Sequence, residues 1–306
     1  MNKLFERNPI REFPNGNIGR AYPFHISLEG IETKVLCRDD GDYDVFVKII
    51  CICALRKNCI LLVYAVVSNH AHATVLALSQ GDADAYANEI KRMYAMYFSR
   101  KYSDLSVMRG VDAKSIYIHS DYYLRNAIAY DIRNAVDNGA KQIADYNWTS
   151  FSAYFRDHSS IMGRKAASLS KRERRRIMHT DDIITDESWL LDENDMIIPH
   201  SICNYKYVEG AFNNDSAYFM KMIGVVDKAE MTQSLIIAPR VKVTDGELLK
   251  YAEEVSERFF KTKIHNLSID KKTRIITYVF HTRKTDLSQL SRIFELNREY
   301  LSRLLG

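Results

Sequence analysis

VVSNHAHATVLA, residues 66–77, lies where two apolar, β-rich segments meet, Ile60 to Val67 and Ala71 to Leu78. Side chains on a strand alternate between the two faces, so His70 and His72 point the same way. Two neighbouring imidazoles can be two ligands of one metal ion. With nine histidines in the chain, about 0.3 such His-x-His triples arise by chance, so the pair predicts a metal site only together with further residues.

The segments on either side of these two strands alternate between strand-like and helix-like patterns. The further predicted elements are strands at Tyr22 to Leu28 and Lys114 to His119, and helices at Asp42 to Arg56, Ala83 to Lys101 and Tyr122 to Val136. The order β-α-β-β-α-β followed by a helix predicts an α+β fold, a ferredoxin-like or RRM-like antiparallel sheet with helices on one face. This topology serves many functions, so it predicts none by itself.

Length and composition are those of an ordinary globular protein. The chain has 306 residues, 46% of them apolar and 27% charged, which is enough for two compact domains. The longest apolar stretch is too short to cross a bilayer, and the start lacks the apolar core of a secretory signal, which predicts a cytoplasmic protein with no membrane partner. The five cysteines form no C-x-x-C pair, which favours reduced, buried thiols.

Charge is clustered although the net charge is only +4. Residues 161–180 hold seven basic side chains and one acid, and residues 181–200 hold seven acids and no Lys or Arg. Such a reversal indicates either a solvated linker or exposed helix, or a phosphate-binding arm. It predicts a boundary near residue 160, hence a first domain over 1–160, a linker and small connecting subdomain over 161–240, and a helical domain over 241–306.

A partner for the histidine pair lies in the helix predicted from Tyr122 to Val136. Tyr130 and Asn134 are four residues apart, so they share one face of that helix. If this face covers the metal, the Asn134 amide oxygen can be a third ligand and Tyr130 can point at a metal-bound phosphate. A phenol has a pKa of about 10 and attacks poorly until a cation polarises the phosphate. The alternative is that Tyr130 packs an amphipathic helix and Asn134 faces solvent.

Four blocks of sequence resemble the REP-associated branch of the single-tyrosine HUH transposases. They occur in family order over residues 20–155 and are FHISLEG with the segment after it, YAVVSNHAHATV, IKRMYAMYFSRKY and YLRNAIAYDIRNAVDNGAKQIADYNWTSFSAY. The family pattern of Asn and His-hydrophobic-His on a strand falls on Asn69, His70 and His72. Its nucleophilic tyrosine with a ligand four residues later falls on Tyr130 and Asn134, and a Trp-Ser-Ser-Tyr-like segment falls on residues 148–151.

The resemblance implies a transposase that cuts and rejoins single-stranded or hairpin DNA on an HUH palm, located with the bacterial nucleoid. Tyr130 would displace a 3′ oxygen and hold a 5′-phosphotyrosine, with Mg²⁺ or Mn²⁺ bound by His70, His72 and Asn134. Family members often act as dimers, whereas some of the REP-associated branch act as monomers, so a homodimer and a monomer are both open expectations. The predicted DNA contacts in this part of the chain come from Arg100, Lys101 and Lys114.

The last sixty residues predict a helical domain that resembles a helix-turn-helix. Val243 to Phe260 has apolar residues at helical spacing, and DLSQLSRIFELNREYLSRLLG has a turn at Glu295, where glycine is common, before a helix that Asn297 can cap. Arg298 and Arg303 are then predicted to contact DNA. The alternative is a helical packing or dimerisation module.

Two functions of different classes fit the sequence. The first is the metal-dependent nicking and rejoining enzyme. The second is a domesticated, non-catalytic DNA-binding regulator that keeps the fold for its shape. The presence of His70, His72, Tyr130 and Asn134 together favours the enzyme, since a regulator has no need of all four.

Overall fold

The computed structural model describes residues 5–29, 35–103, 106–137, 143–225, 245–283, 285 and 287–305. The strands in chain order are β1 (Ile10–Glu12), β2 (Ile18–Arg20), β3 (Tyr22–Glu29), β4 (Ile60–Val66), β5 (His70–Ala77), β6 (Asp112–Tyr117), β7 (Arg164–Lys165) and β8 (Leu190–Leu191). The helices are α1 (Asp40–Arg56), α2 (Gln80–Tyr102), α3 (Ser106–Arg109), α4 (Asp121–Asp137), α5 (Lys171–Glu173), α6 (Tyr205–Ala211), α7 (Ser216–Val225), α8 (Asp245–Phe260), α9 (Ile269–Thr282), α10 (Leu287–Phe294) and α11 (Arg298–Leu305).

The central element is an antiparallel sheet of four strands in the order β4-β5-β3-β6. Two interleaved β-α-β units produce this order, because each crossover leaves room for a strand of the other unit. The α+β class predicted from the sequence is confirmed, with an antiparallel sheet, packed helices and a helical C-terminal region.

The strand register places the polar residues of the sheet in two adjacent rows. His72 pairs with Ser27 on β3, and Ser27 pairs with Lys114 on β6. One row further along, Thr74 pairs with His25. Since paired residues and residues two apart on a strand project to the same face, these five side chains share one face of the sheet.

Different helices cover the two faces of the sheet. The hydroxyl of Ser115 contacts Gln80 of α2, and Ser115 pairs with Ile26, so α2 lies on their face with α1 beside it. His25 is on the opposite face and contacts Asp131 of α4. The sequence predicted helices on one face only. The structure adds α4 on the other, where its Asp131 supplies the polar partner that buried His25 needs.

Helix α1 begins at a fully buried carboxylate. Asp39 is the N-cap and accepts a hydrogen bond from the backbone N–H of Asp42 at 3.1 Å, and the side chain of Asp42 is 0% exposed. The Asp42 carboxylate accepts four hydrogen bonds of 2.7–2.8 Å. Their donors are the backbone N–H of Arg38, the hydroxyls of Tyr97 and Tyr102, and the ammonium of Lys101. The carboxylate therefore fastens the start of α1 to the end of α2.

The basic and acidic halves of the segment from 161 to 200 fold onto each other. The ion pairs between them are Lys165 with Glu187, Arg175 with Asp181, and Arg176 with Asp195. Within the basic half, Arg164 pairs with Glu173. Apolar residues of this segment, such as Met178 and Leu191, belong to the same hydrophobic core as the central sheet. Much of the basic charge is therefore neutralised within the segment, which weakens the reading of it as a phosphate-binding arm.

Helices α6 and α7 pack against α4. Arg125 of α4 donates to the carbonyl oxygen of Ala211, at the C-terminus of α6, at 3.2 Å. Arg133 donates to the carbonyl oxygens of Ile223 and Gly224, at the end of α7, at 3.2 and 2.7 Å. Cationic side chains are favourable at helix C-termini, where carbonyl groups lack partners in the helix.

Helices α8 to α11 have a hydrophobic core cluster of their own. The turn between α10 and α11 places Glu295 at a φ of 56°, the left-handed region that glycine adopts most easily. Asn297 accepts a hydrogen bond from the backbone N–H of Glu299 at 2.7 Å, as expected of a cap for α11. In the described ranges, no helix combines the length and the apolar character that a bilayer span requires.

Candidate active site

Helix α4 crosses the polar face of the sheet and brings two side chains to the histidine pair. The ring centroids of Tyr130 and His72 are 5.3 Å apart, and those of His70 and His72 are 4.9 Å apart. Oδ1 of Asn134 lies 2.9 Å from Nε2 of His70. The residues predicted as nucleophile and metal ligands therefore lie in one cluster, drawn from β5 and α4.

A hydrogen bond within α4 fixes the orientation of the Asn134 amide. Its Nδ2 donates to the backbone carbonyl of Tyr130, one turn earlier, at 3.1 Å. Oδ1 consequently faces His70, as a metal ligand must. Adjacent ligands of an octahedral ion, each about 2.1 Å from the metal, lie about 3.0 Å apart. The separation of 2.9 Å between His70 Nε2 and Asn134 Oδ1 fits that edge.

The side chain of Asn69 contacts the second ring nitrogen of His70. Its Oδ1 lies 2.7 Å from Nδ1 of His70, so an N–H on Nδ1 can donate to it. Nε2 of His70 lies almost as close to Asn134 Oδ1, so a metal at Nε2 requires the tautomer that carries its proton on Nδ1. Metal-binding histidines are usually held in this way by a hydrogen bond at the second nitrogen. The contact with Asn69 is therefore the one expected if His70 binds a metal through Nε2.

A second set of polar groups lies directly beneath this cluster. Nε2 of His25 lies 2.9 Å from Oδ1 of Asp131, and the hydroxyl of Thr74 donates to Oδ2 of Asp131 at 2.8 Å. The side chains of His25, Thr74 and Asp131 are each 0% exposed. Potential ligand atoms of His25, His72 and Asp131 all lie within 4.8 Å of one another. His72 therefore belongs to both the outer and the inner set.

Neither His25 nor Asp131 is marked by a local sequence pattern. His25 occurs in FHISLEG, whose alternation predicts a strand but not which strand lies beside it. A pairing of β3 with β5 that sets His25 opposite Thr74 would have placed it near His72. Asp131 follows Tyr130 directly, and only the docking of α4 decides whether its carboxylate faces the sheet or solvent.

Comparison with known proteins does not assign this chain to a family. No protein-family model matches the chain, and no curated protein matches it significantly. A solved structure of a REP-associated tyrosine transposase bound to a REP hairpin is similar to it. The TM-score is 0.34 and the sequence identity 13%, over 50% of this chain and 84% of that chain. A likeness of this degree establishes neither a shared fold nor a shared activity, and membership of the family stays a prediction.

The cluster is most accessible at His70. The exposed fraction is 2% for His72, 4% for Tyr130 and 0% for Asn134, whereas His70 is half-buried. A substrate group would therefore approach from the side of His70 and the turn before it. The phenol of Tyr130 is covered in this conformation.

The predicted DNA contacts lie in different surroundings. Lys114 is exposed, in the same row of the sheet as His72 with Ser27 between them, so it flanks the cluster. Arg100 is exposed on α2, on the other side of the sheet. The ammonium of Lys101 lies 2.7 Å from the carboxylates of both Asp39 and Asp42, so it has a structural role. Arg298 and Arg303 are exposed on α11, and their DNA contacts stay predictions.

Proposed function

We propose that this protein cuts and rejoins single-stranded DNA at a hairpin through a covalent link to Tyr130. The observation that supports this is the arrangement of Tyr130 against His72, with Asn134 facing His70 at 2.9 Å. A nucleophile, two imidazoles and an amide oxygen are together what a metal-assisted attack on a phosphodiester requires. The similar solved structure, a transposase bound to a DNA hairpin, is compatible with this class of substrate.

In the proposed reaction the phenol oxygen of Tyr130 attacks the scissile phosphorus. The phenol loses its proton, the bond from phosphorus to the 3′ oxygen breaks, and the released 3′ oxygen takes up a proton. A Mg²⁺ or Mn²⁺ ion held by His70, His72 and Asn134 would polarise the phosphate and stabilise its developing charge. Because the phosphotyrosine conserves the phosphodiester bond, a 3′ hydroxyl rejoins the strand by the reverse step without a nucleotide cofactor.

The alternative function, a DNA-binding regulator without catalysis, is favoured by one observation. Tyr130 is only 4% exposed, so its hydroxyl must move outward or its cover must open before a phosphate can reach it. In the proposed enzyme the bound hairpin causes that movement. In a regulator Tyr130 remains a packing residue.

The direct test uses hairpin oligonucleotides labelled at one end and incubated with the protein and Mn²⁺. Attack that releases a 3′ hydroxyl leaves the fragment with the original 3′ end on the protein. We therefore expect a denaturant-resistant adduct that carries a 3′-end label and not a 5′-end label. An adduct with the 5′-end label would contradict the proposed direction of attack. No adduct with a broad set of hairpins would favour the regulator.

Asn134 is the one of the three proposed metal ligands that α4 carries, and its removal makes a separate prediction. We expect Asn134→Ala to weaken Mn²⁺ binding by about tenfold, since a neutral oxygen ligand is lost while both histidines remain. Titration of the chelator-treated protein with Mn²⁺, followed by the electron paramagnetic resonance signal of the free ion, measures this. The matched control is Asn126→Ala, another buried asparagine of α4. Equal effects of the two changes would remove Asn134 from the site.

A further inference from the structure

We infer that the metal centre extends inward to His25 and Asp131, and that Asp131 supplies its negative charge. The donors proposed above, His70, His72 and Asn134, carry no formal charge when they bind a metal. A divalent ion moved from water into a half-buried site with neutral ligands alone loses much of its solvation without charge compensation. Among the residues whose side chains the structure describes, Asp131 is a carboxylate that lies in this cluster.

The surroundings of Asp131 leave its charge without a permanent cation. Its carboxylate is 0% exposed, and its partners among the described residues are His25 and Thr74. Thr74 is neutral, and His25 carries charge only when protonated. A buried carboxylate beside a neutral imidazole is costly, whereas the same carboxylate beside a divalent ion is favourable. The arrangement therefore has the charge that a bound cation would balance.

His25 points to the same conclusion through its second nitrogen. Nε2 lies beside Asp131, and Nδ1 is buried without a hydrogen-bond partner in the described residues. A buried polar atom left without a partner costs about 1–3 kcal/mol, so its presence calls for an explanation. An imidazole that bonds to a carboxylate at one nitrogen and offers a lone pair at the other has the usual environment of a metal-binding histidine.

The bound ion that suits this donor set is a divalent transition metal. Imidazoles combined with one carboxylate favour Mn²⁺, Fe²⁺, Co²⁺ or Zn²⁺ over Mg²⁺, which prefers oxygen ligands and retains water. His72 is common to both sets, with its ring 4.9 Å from that of His70 and 5.2 Å from that of His25. One centre that includes both sets is the simplest arrangement of these residues.

The test measures Mn²⁺ affinity of the chelator-treated, full-length protein without DNA, again by electron paramagnetic resonance. We expect Asp131→Asn to weaken binding by about 30-fold or more, because it removes the charge and keeps the shape. His25→Gln is the second variant, with an expected loss of about tenfold or more. The control is Asp44→Asn, which removes a partly buried carboxylate paired with Lys48 on α1, at an expected change within about threefold.

Circular dichroism and thermal melting identify any variant that has not folded. If Asp131→Asn has not folded, the affinity of His25→Gln decides the test. Affinities of both folded variants within about threefold of the wild type would overturn the inference, and would mean that Asp131 and His25 are a structural ion pair. Wild-type protein that does not bind Mn²⁺ would overturn it as well. This inference rests on the function proposed above, so the labelled-hairpin assay is run separately. If Mn²⁺ affinity is unchanged in the variants but the wild type forms the adduct, this inference is wrong and the proposed function is retained.

Discussion

Tyr130→Phe is expected to abolish the covalent DNA adduct completely. Phenylalanine lacks the oxygen that would bond to phosphorus, and no other group replaces it in the proposed reaction. The ring itself is preserved, so its packing against His72 and His25 is retained and the stability should change by less than about 1.5 kcal/mol. The measurement is the yield of labelled protein after denaturing electrophoresis with a 3′-labelled hairpin.

The matched control for this change is Tyr122→Phe. Tyr122 lies on the same helix, two turns earlier, and is 44% exposed, so a surface tyrosine that reacts nonspecifically would be revealed by it. We expect the adduct yield of Tyr122→Phe to equal that of the wild type. An adduct that persists in Tyr130→Phe and disappears in Tyr122→Phe would show that Tyr122, and not Tyr130, is the nucleophile. The proposed site would then be wrong.

The second large effect is expected for the buried carboxylate at the start of α1. We expect Asp42→Ala to lower the free energy of unfolding by about 3 kcal/mol, since two hydroxyls, one amide and an ammonium lose their acceptor inside the protein. For a folded unit of this size, this corresponds to a fall in melting temperature of roughly 5–6 °C. Thermal unfolding followed by circular dichroism measures it. Asp39→Ala is the control, because Asp39 also contacts Lys101 but is half-exposed, and loss of a cap costs about 1 kcal/mol.

The same carboxylate makes stability depend on pH. Burial alone raises the pKa of Asp42, but hydrogen bonds from Lys101, Tyr102 and the amide of Arg38 outweigh it and hold the pKa below its ordinary value. A lowered pKa in the folded state means that the stabilisation is complete above the pKa of the unfolded chain, about 3.9, and is lost as pH falls through the folded value. The stability difference between wild type and Asp42→Ala should therefore shrink in acid. A difference that stays constant down to strongly acidic pH would exclude this cause.

The sheet and the proximity of His70, His72, Tyr130 and Asn134 were predictable because they depend largely on local patterns. Alternation placed His70 and His72 on one face, and helical spacing placed Tyr130 and Asn134 together. The order of the strands followed from the sequence of elements. These inferences need only the nearest few residues, or the rule that joins neighbouring elements.

The inner set, His25, Thr74 and Asp131 with His72, depends on contacts between distant parts of the chain. His25 meets Asp131 across 106 residues, and their contact needs both the register of β3 against β5 and the docking of α4. The ion pairs between residues 161–180 and 181–200 are non-local as well, since Lys165 meets Glu187 across 22 residues and charge clustering alone does not specify such partners. A local pattern specifies which face of the sheet a residue takes, but not which element covers that face. For that reason the sequence predicted helices on one face and did not predict that α4 covers the other.

The two arginines on the outer side of α4 have a consequence for how the reacting groups are prepared. Arg125 and Arg133 grip the ends of α6 and α7, while Asp131 and Asn134 grip the sheet on the inner side. The helix that carries Tyr130 is therefore immobilised during folding, before the proposed substrate binds. In the proposed reaction this helix loses no further conformational entropy on binding, and the free energy of DNA binding is available to expose the phenol of Tyr130.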